Sequence, residues 1–397
     1  MKRAYITTFL TCFALLALAF GISRALDLDG GMESITVGFI YESDDSAPYT
    51  YNFTRAESLL QEELGDSVTI LSKRNVPDDA VEDMLYELSS DGCSIIFTNN
   101  HSELFQDLAP SFPDTQICQI SDLEYPPVDH PRNYHTFNGE LYQARYVSGV
   151  TAGFKLRDMI DKGIISKEDA VVGYVAAFPV ASVISGYTAF LIGVRSVVPD
   201  AVMKVKYTYT WSGYREEKNC AMDLINDGCV LISQHSDTIG PAVACEEASV
   251  THPVVFIGSG KSLLDLAPRT ALLSIRTNWA PYVIGAVTAV MNGQKIESAV
   301  KGTVHGENDV SAGFDDDALE IVDPNKNLMP DSAQMIIDSA IETIKKDPAT
   351  AFRGAYIGVD LTDPNDTIDL SKGYLENEQS SAPSFHYLLK DVIEILR

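Results

Sequence analysis

The chain has 397 residues and carries 56 acidic against 29 basic residues, which gives a formal net charge of -27 at pH 7. This length allows two domains that each bury a core, so a single small module is excluded. The acidic balance repels nucleic-acid phosphates and anionic lipid headgroups, and no basic patch offsets it, so we expect no nucleic-acid partner.

The N-terminal segment, residues 1–25, differs from the rest of the chain. Lys2 and Arg3 precede an apolar run over residues 9–22, which is the layout of a signal peptide or of a single N-terminal membrane anchor. No other run approaches the roughly 20 apolar residues that span a bilayer. We therefore expect a body that is extracytoplasmic, secreted or anchored to the outer face of the cell membrane, and that meets the membrane only through this segment.

Residues 35–120 repeat a unit of one strand and one helix. Strands are predicted at residues 35–41, 68–71, 93–97 and 115–120, and helices at residues 49–64, 80–88 and 101–109. Short apolar runs that alternate with helical spacing are typical of a parallel sheet with right-handed crossovers.

A second run of the same unit follows. Strands are predicted at residues 171–176, 201–207, 229–233 and 254–257, and helices at residues 140–154, 181–197, 213–226 and 237–249. The chain is thus a doubled α/β unit, in which two sheets side by side leave a cleft that one ligand can share.

The last part of the chain carries shorter elements. Strands are predicted at residues 272–275, 302–305, 310–314 and 318–321, and helices at residues 279–291 and 331–346. This part is too short for a third sheet, so we expect it to complete the first lobe. The predicted division assigns residues 35–155 and 280–357 to lobe 1, residues 156–279 to lobe 2, and residues 358–397 to a tail that packs on lobe 1 or is mobile.

The segment over residues 173–200 carries the strongest local pattern. The turn that includes Phe178 lies at the carboxyl end of a predicted strand, where open α/β sheets bind their ligands. The helix that follows is apolar on most faces, and Gly186, Ala189 and Gly193 allow a neighbour to approach closely. We expect this helix to be buried.

Aromatic and carboxylate side chains at strand ends are the candidate ligand contacts. Tyr49 and Phe178 occupy corresponding positions after the first strand of each half, and a flat heterocycle between two lobes is held well by one aromatic ring from each. Asp237 has two possible roles. It either caps the helix that follows it or accepts hydrogen bonds from vicinal hydroxyls such as those of a ribose.

The sequence lacks recognisable catalytic and metal-binding motifs. The loop GSGKS at residues 258–262 has Val255 where a phosphate-binding loop needs its first glycine, and there is no G-x-S-x-G motif. The cysteines after the N-terminal segment lack C-x-x-C spacing, which disfavours a zinc site or a disulfide framework. The sequence predicts no catalytic residue, no metal and no cofactor.

Several segments follow one family pattern: GYVAAFPVASVISGYTAFLIGVRSVVPD at residues 173–200, the region of Trp211, LISQHSDTIGP at residues 231–241, Asn278-Trp279, and ELYQARYVSGVTAG at residues 140–153. They resemble the basic membrane protein family of extracellular solute-binding proteins, which includes the purine nucleoside receptor A type. The resemblance covers about residues 35–357. It implies an α/β, two-lobed periplasmic-binding-protein-like fold, with two Rossmann-like parallel sheets and a ligand cleft between them.

The resemblance also implies a function without catalysis. A purine nucleoside, or a related heterocycle, would bind in the cleft and be delivered to the permease of an ABC importer. The ligand-facing positions that the family pattern assigns are Tyr49, Asn99, Asn100, Phe178, Asp237, Asn278 and Trp279. Two alternatives stay open: a ligand-sensing extracellular domain of a signalling system, and a nucleoside hydrolase.

Overall fold

The computed structural model describes residues 32–120 and 131–396. The N-terminal segment predicted to be a signal or an anchor lies outside these residues. Within them, no helix combines the length and apolar character needed to cross a membrane.

Most elements follow the predicted ones. The strands are β1 (Ile35–Ile40), β2 (Val68–Lys73), β3 (Ile95–Thr98), β4 (Gln116–Ile120), β5 (Tyr134–Gly139), β6 (Val171–Ala176), β7 (Val202–Tyr207), β8 (Leu231–His235), β9 (Val255–Ser259), β10 (Ala271–Thr277), β11 (Thr303–His305), β12 (Asp309–Ala312), β13 (Leu319–Val322), β14 (Ile357–Asp360), β15 (Thr367–Asp369), β16 (Tyr387–Leu389) and β17 (Ile393–Leu396). The helices are α1 (Pro48–Leu64), α2 (Val81–Ser90), α3 (Leu104–Leu108), α4 (Leu141–Asp161), α5 (Ala181–Val197), α6 (Tyr214–Asn226), α7 (Gly240–Ala248), α8 (Ala280–Met291) and α9 (Ala333–Lys346). Short 3-10 turns connect some of them.

Two seven-stranded sheets form the two lobes. The order in lobe 1 is β11-β12-β5-β4-β3-β1-β2, and the order in lobe 2 is β13-β10-β9-β8-β6-β7-β17. Pairing is parallel except for the antiparallel edge strands β11 and β13. The predicted α/β class with two mainly parallel sheets is therefore confirmed.

Helices α4 and α5 pack together at the centre of lobe 2. Glycines set the distance between them, because a Cβ atom at Gly149 would lie 2.1 Å from the carbonyl oxygen of Phe190, and one at Gly193 would lie 2.3 Å from that of Tyr146. Most residues of α5 are buried, as its apolar faces predict.

The chain passes between the lobes after β5, β10 and β12, and this differs from the predicted division. Helix α4, predicted mostly in lobe 1, packs in the core of lobe 2, and so does α9. Strand β13, predicted in lobe 1, pairs with β10 of lobe 2, whereas α8 packs in lobe 1, the lobe to which it was assigned. Periodicity identifies an element but not the sheet on which it packs, which is why these assignments differ.

The C-terminal region was predicted to pack on lobe 1 or to be mobile, and the structure corrects this. Strand β17 pairs in parallel with β7 at the edge of the lobe 2 sheet. Strands β15, β14 and β16 form a third, small sheet. The fully buried ring of Phe385 stacks on Phe352 at 4.6 Å and joins the core of lobe 2. Its apolar contacts are few and widely spaced in sequence, so they give no period.

Candidate ligand-binding cleft

A cavity of about 130 Å³ lies between the lobes. Its walls come from the carboxyl ends of β8, β9 and β10, from the loops after β1, β3, β7, β8, β9 and β10, and from the first turns of α1 and α4. The lining residues are Glu42, Pro48, Tyr49, Asn52, His101, Leu141, Trp211, His235, Ser236, Asp237, Ser259, Gly260, Arg276, Thr277 and Trp279. Parallel strands expose their carboxyl ends at one edge of a sheet, so the two sheets direct these loops toward a shared space.

Aromatic rings form much of the wall. The chain has two tryptophans, and both line the cavity. Trp279 is buried and stacks on Phe53 with ring centroids 5.0 Å apart. Trp211 is 42% exposed, so its indole can meet a ligand face without repacking the core. On the lobe 1 side, Tyr49 stacks on His101 at 6.0 Å.

Asp237 joins the two lobes. Its Oδ1 accepts a hydrogen bond of 2.7 Å from the backbone N–H of Tyr49, which lies in the first turn of α1 in the other lobe. Helix α7, which follows Asp237, has Ile239 as its N-cap. Asp237 therefore contacts the N-terminus of a helix, but not of the helix that the sequence suggested. Burial raises the pKa of Asp237 to about 8.

A buried carboxylate holds the loop that carries Asp237. Glu217, on α6, is fully buried and accepts hydrogen bonds from the Ser236 hydroxyl at 2.7 Å and the Thr238 backbone N–H at 3.1 Å. These bonds fix the residues on both sides of Asp237, so the carboxyl group is held in place before a ligand arrives.

Two basic side chains at the edge of the cavity, Arg276 and Lys261, are already engaged. Arg276 donates from Nε to Glu320 Oε2 at 2.6 Å, and the Lys261 ammonium donates to the carbonyl oxygen of Ser46 at 3.2 Å. With Glu42 and Asp237 also in the wall, the cavity has no excess positive charge. Such a site suits a neutral ligand better than a phosphate ester.

Three buried polar atoms in the wall have no hydrogen-bond partner among the described residues: Asn52 Oδ1, His235 Nδ1 and Trp279 Nε1. Burial, and then the charge of Arg145, hold the pKa of His235 well below its usual value, so the imidazole is neutral. Buried polar atoms normally find partners. Together they indicate a ligand that offers several donors and acceptors.

The lobes are in contact around the cavity, as in a closed form. Besides the bond between Asp237 and Tyr49, Gly260 lies against Pro48, where a Cβ atom would be 2.6 Å from Pro48 Cβ. Arg55 on α1 donates to Asn278 Oδ1 at 3.0 Å and also contacts Glu320 of lobe 2 at 3.4 Å. These contacts link α1 to the loops of the opposite lobe.

The residues predicted from the sequence fall into two groups. Tyr49, Asp237 and Trp279 line the cavity. Phe178 lies outside this lining and packs beside Trp211, with centroids 5.5 Å apart. Trp211 therefore occupies the lobe 2 position that we predicted for Phe178.

The three predicted asparagines lie outside the cavity lining and hold the loops around it. Asn99 accepts from the Glu42 backbone N–H and donates to the Thr50 hydroxyl. Asn100 donates to the carbonyl oxygen of Val76, and Asn278 to that of Asp317. Their contacts fit a positioning role, which the sequence pattern does not separate from ligand contact.

Most of the cavity lining was not predicted from the sequence as ligand contacts, and Trp211 and His235 are the two such residues on which the proposed binding depends most. Trp211 lies in a turn-rich stretch with no period, and its region was identified only as part of the family pattern. His235 is the last residue of β8 and gave no signal beyond its place two residues before Asp237. The described cysteines are all buried and free. No cluster of metal-binding side chains occurs among the residues that the structure covers.

Comparison with known proteins identifies the family. A family model described as Bmp, an ABC transporter substrate-binding protein that is PnrA-like, matches residues 36–348. A purine-binding protein of Brucella abortus is 30% identical over 265 residues, which cover 66% of this chain and 70% of the relative. A putative ABC transporter glucose-binding protein of Haloferax volcanii is 24% identical, and the match spans 55% of this chain and about half, 52%, of that protein.

Solved structures support the same fold. An ABC transporter solute-binding protein from Aeropyrum pernix superposes with a TM-score of 0.59 at 18% identity, over 79% of this chain and 86% of that one. A transcriptional activator of the comK gene from Bacillus halodurans gives a TM-score of 0.61 at 17% identity, over 79% and 98% of the two chains.

The fold and the interlobe cavity define a two-lobed solute-binding protein. The chain belongs to the Bmp family of PnrA-like ABC transporter substrate-binding proteins. It binds a ligand for ABC import.

Proposed function

We propose that this protein closes its two lobes on a purine nucleoside or base outside the cytoplasm and delivers it to an ABC permease. The observation that carries the proposal is the cavity wall, where aromatic rings from both lobes stand beside unpartnered polar atoms. A purine offers a flat face for stacking and ring nitrogens for hydrogen bonds. The relative from Brucella abortus, described as purine-binding, supports this ligand class.

Within the proposed complex, Trp211 and Tyr49 provide rings for the purine face, and Asp237 bonds to its polar edge. One oxygen of Asp237 is engaged by the Tyr49 backbone N–H, so the other serves the ligand. In the closed form the raised pKa of Asp237 keeps its carboxyl group protonated at neutral pH, so that its hydroxyl can donate to a ring nitrogen. The family and the interlobe cavity support binding without catalysis. We also propose that residues 1–25 export or anchor the chain.

A sugar is the second candidate ligand. A relative from Haloferax volcanii is described as a putative glucose-binding protein, and hydroxyl groups also satisfy unpartnered polar atoms. The aromatic wall is compatible with a sugar, which packs its C–H face on a ring. Binding measurements on a set of ligands separate the two.

We expect purine nucleosides or bases to raise the melting temperature of the chain lacking residues 1–31. A ligand at 100 times its dissociation constant stabilises the native state by about 2.7 kcal/mol. The panel contains adenosine, guanosine, inosine and their bases, with glucose and ribose as comparison ligands. A rise with glucose and none with any purine would show that the protein is a sugar receptor.

Trp211→Ala is expected to weaken purine binding more than Phe178→Ala. Trp211 lines the cavity, and loss of an aromatic stacking partner costs about 1 kcal/mol beyond the lost contact area. Phe178 supports Trp211 from behind, so its loss acts only indirectly. Isothermal titration calorimetry on both variants measures the difference. Equal affinities for the two variants would assign Trp211 no direct contact.

A further inference from the structure

The C-terminal region beyond the family model reaches the ligand cleft. The match to the Bmp family model ends at residue 348, and the loop over residues 376–385 lies after it. The carboxylate of Glu376 accepts the backbone N–H groups of Ser384 and Phe385, both at 2.9 Å, and so fixes the shape of this loop.

The same loop touches both lobes. The backbone N–H of Ser381 donates to Asp309 Oδ2 at 2.8 Å, and Asp309 belongs to β12 of lobe 1. Phe385 is anchored in the core of lobe 2. The loop therefore spans the interlobe boundary and is held there by buried contacts at both ends.

A second chamber, of about 80 Å³, lies between this loop and the main cavity. The two share five lining residues, so they form one continuous wall: Tyr49, Leu141, His235, Thr277 and Trp279. The C-terminal loop adds Asn377 and Pro383 to the chamber, and its other polar side chains outside the shared set are Asn138, Tyr142, Ser182 and Ser185.

Asn377 is the buried polar residue that the C-terminal loop contributes to the chamber. Its side chain is 5% exposed, and its φ of 56° lies in the left-handed region that asparagine tolerates better than most residues. The amide Nδ2 donates to the carbonyl oxygen of Ser381 at 2.6 Å, which fixes the orientation of the amide group. Its Oδ1 is buried and has no partner among the described residues.

The uncharged polar side chains of the chamber favour a neutral polar group of the ligand. Its polar lining consists of amide and hydroxyl groups and a neutral imidazole, with no acidic or basic side chain of fixed charge. A phosphate would find no cation there. The buried Asn377 Oδ1 needs a donor, and a hydroxyl group is a neutral donor of suitable size.

We propose that this chamber is a subsite for the ribose of a nucleoside whose base occupies the main cavity, with Asn377 accepting a hydrogen bond from a sugar hydroxyl. The subsite rests on the proposed purine function and narrows it, because a free base leaves the chamber unfilled. The C-terminal region is then a determinant of specificity that lies outside the family model.

The test compares nucleosides with free bases on the chain lacking residues 1–31. Asn377→Gly removes the side chain and tolerates the positive φ, while Asn365→Gly changes an exposed asparagine in the same region. Calorimetric titrations with adenosine and adenine are run on the wild type and both variants. We expect Asn377→Gly to weaken adenosine binding about tenfold and to leave adenine binding unchanged, with no effect from Asn365→Gly.

A set of deoxynucleosides locates the hydroxyl. One of the 2′, 3′ and 5′ hydroxyl groups is expected to bond to Asn377, and its removal should weaken binding to the wild type but not to Asn377→Gly. The loss of the hydroxyl group and the loss of the Asn377 side chain remove the same hydrogen bond, so their effects are not additive. Ser182→Ala tests the opposite wall of the chamber without touching the C-terminal loop, and it should also weaken adenosine alone.

The outcomes separate the subsite from the proposed function. Purine binding that Asn377→Gly and Ser182→Ala leave unchanged, or reduce equally for base and nucleoside, overturns the subsite while the purine function stands. No binding of any purine by the wild type overturns both. Circular dichroism of each variant confirms the fold before titration, and Ser182→Ala decides the case if Asn377→Gly does not fold.

Discussion

Gly193→Ala is expected to lower the free energy of unfolding by about 3 kcal/mol, at the upper end of the usual cost of overpacking a core. The new methyl group would lie 2.3 Å from the carbonyl oxygen of Tyr146 on α4. Because that neighbour is backbone, no side chain can rotate away, and α4 and α5 must separate. Their contact forms the centre of lobe 2, so the midpoint of thermal unfolding should fall by several degrees.

Gly285→Ala is the matched control for this change. Gly285 also lies within a helix, α8, but the nearest atom to a Cβ there is Val300 Cγ1 at 3.2 Å, which belongs to a side chain. Alanine is a better helix former than glycine by about 1 kcal/mol, which offsets a small adjustment of Val300. If Gly193→Ala and Gly285→Ala unfold at the same temperature, close helix packing does not explain the glycines of α5.

Asp237→Asn is expected to remove the contribution that this carboxyl group makes to the pH dependence of unfolding. Burial raises the pKa of Asp237 to about 8 in the closed form, with Glu42 and Glu217 adding to the shift and Lys261 opposing it. The raised pKa means that the closed form binds its proton more tightly than the unfolded chain does. The ionised carboxylate therefore destabilises the closed form increasingly as the pH rises from about 4 to about 8.

Asparagine keeps an acceptor for the Tyr49 N–H and carries no charge, so its closed form has no such penalty. Each unit of pKa shift corresponds to about 1.4 kcal/mol. The side chain is only partly buried, and opening the lobes returns it to water, so the penalty is smaller than the full pKa shift implies. We expect the free energy of unfolding of the variant to exceed that of the wild type by about 2 kcal/mol at pH 8.5.

The measurement is thermal unfolding of wild type and variant without ligand at pH 5 and pH 8.5. Asp265→Asn, at an exposed position of the same lobe, is the control for loss of a negative charge. The melting temperatures of Asp237→Asn and wild type should lie closer together at pH 5 than at pH 8.5. A constant difference across this range would mean that Asp237 is ionised throughout.

Local patterns predicted the elements well, and the reason is physical. The apolar run of β6 and the crowded faces of α5 are dictated by burial, which acts on adjacent residues, and the predicted bounds of both match the structure. The alternation of strand and helix then limits the topology to parallel sheets with crossovers.

Long-range pairing was outside the reach of the sequence. Asp237 bonds to the backbone of Tyr49, 188 residues away, and a backbone N–H leaves no sequence signal. Local periodicity does not show which sheet edge pairs with β17, so the contacts of the C-terminal region with lobe 2 were not predicted. Trp211 replaced Phe178 in the cavity wall because turn geometry decides which of two neighbouring rings faces inward.

Tryptophan fluorescence tests the central claim most directly, because the chain has only two tryptophans and both line the cavity. Titration of the chain lacking residues 1–31 with adenosine or guanosine should give a saturable change in emission, and Trp211→Phe should remove part of it. A saturable change with glucose, and none with any purine nucleoside or base, would contradict the account.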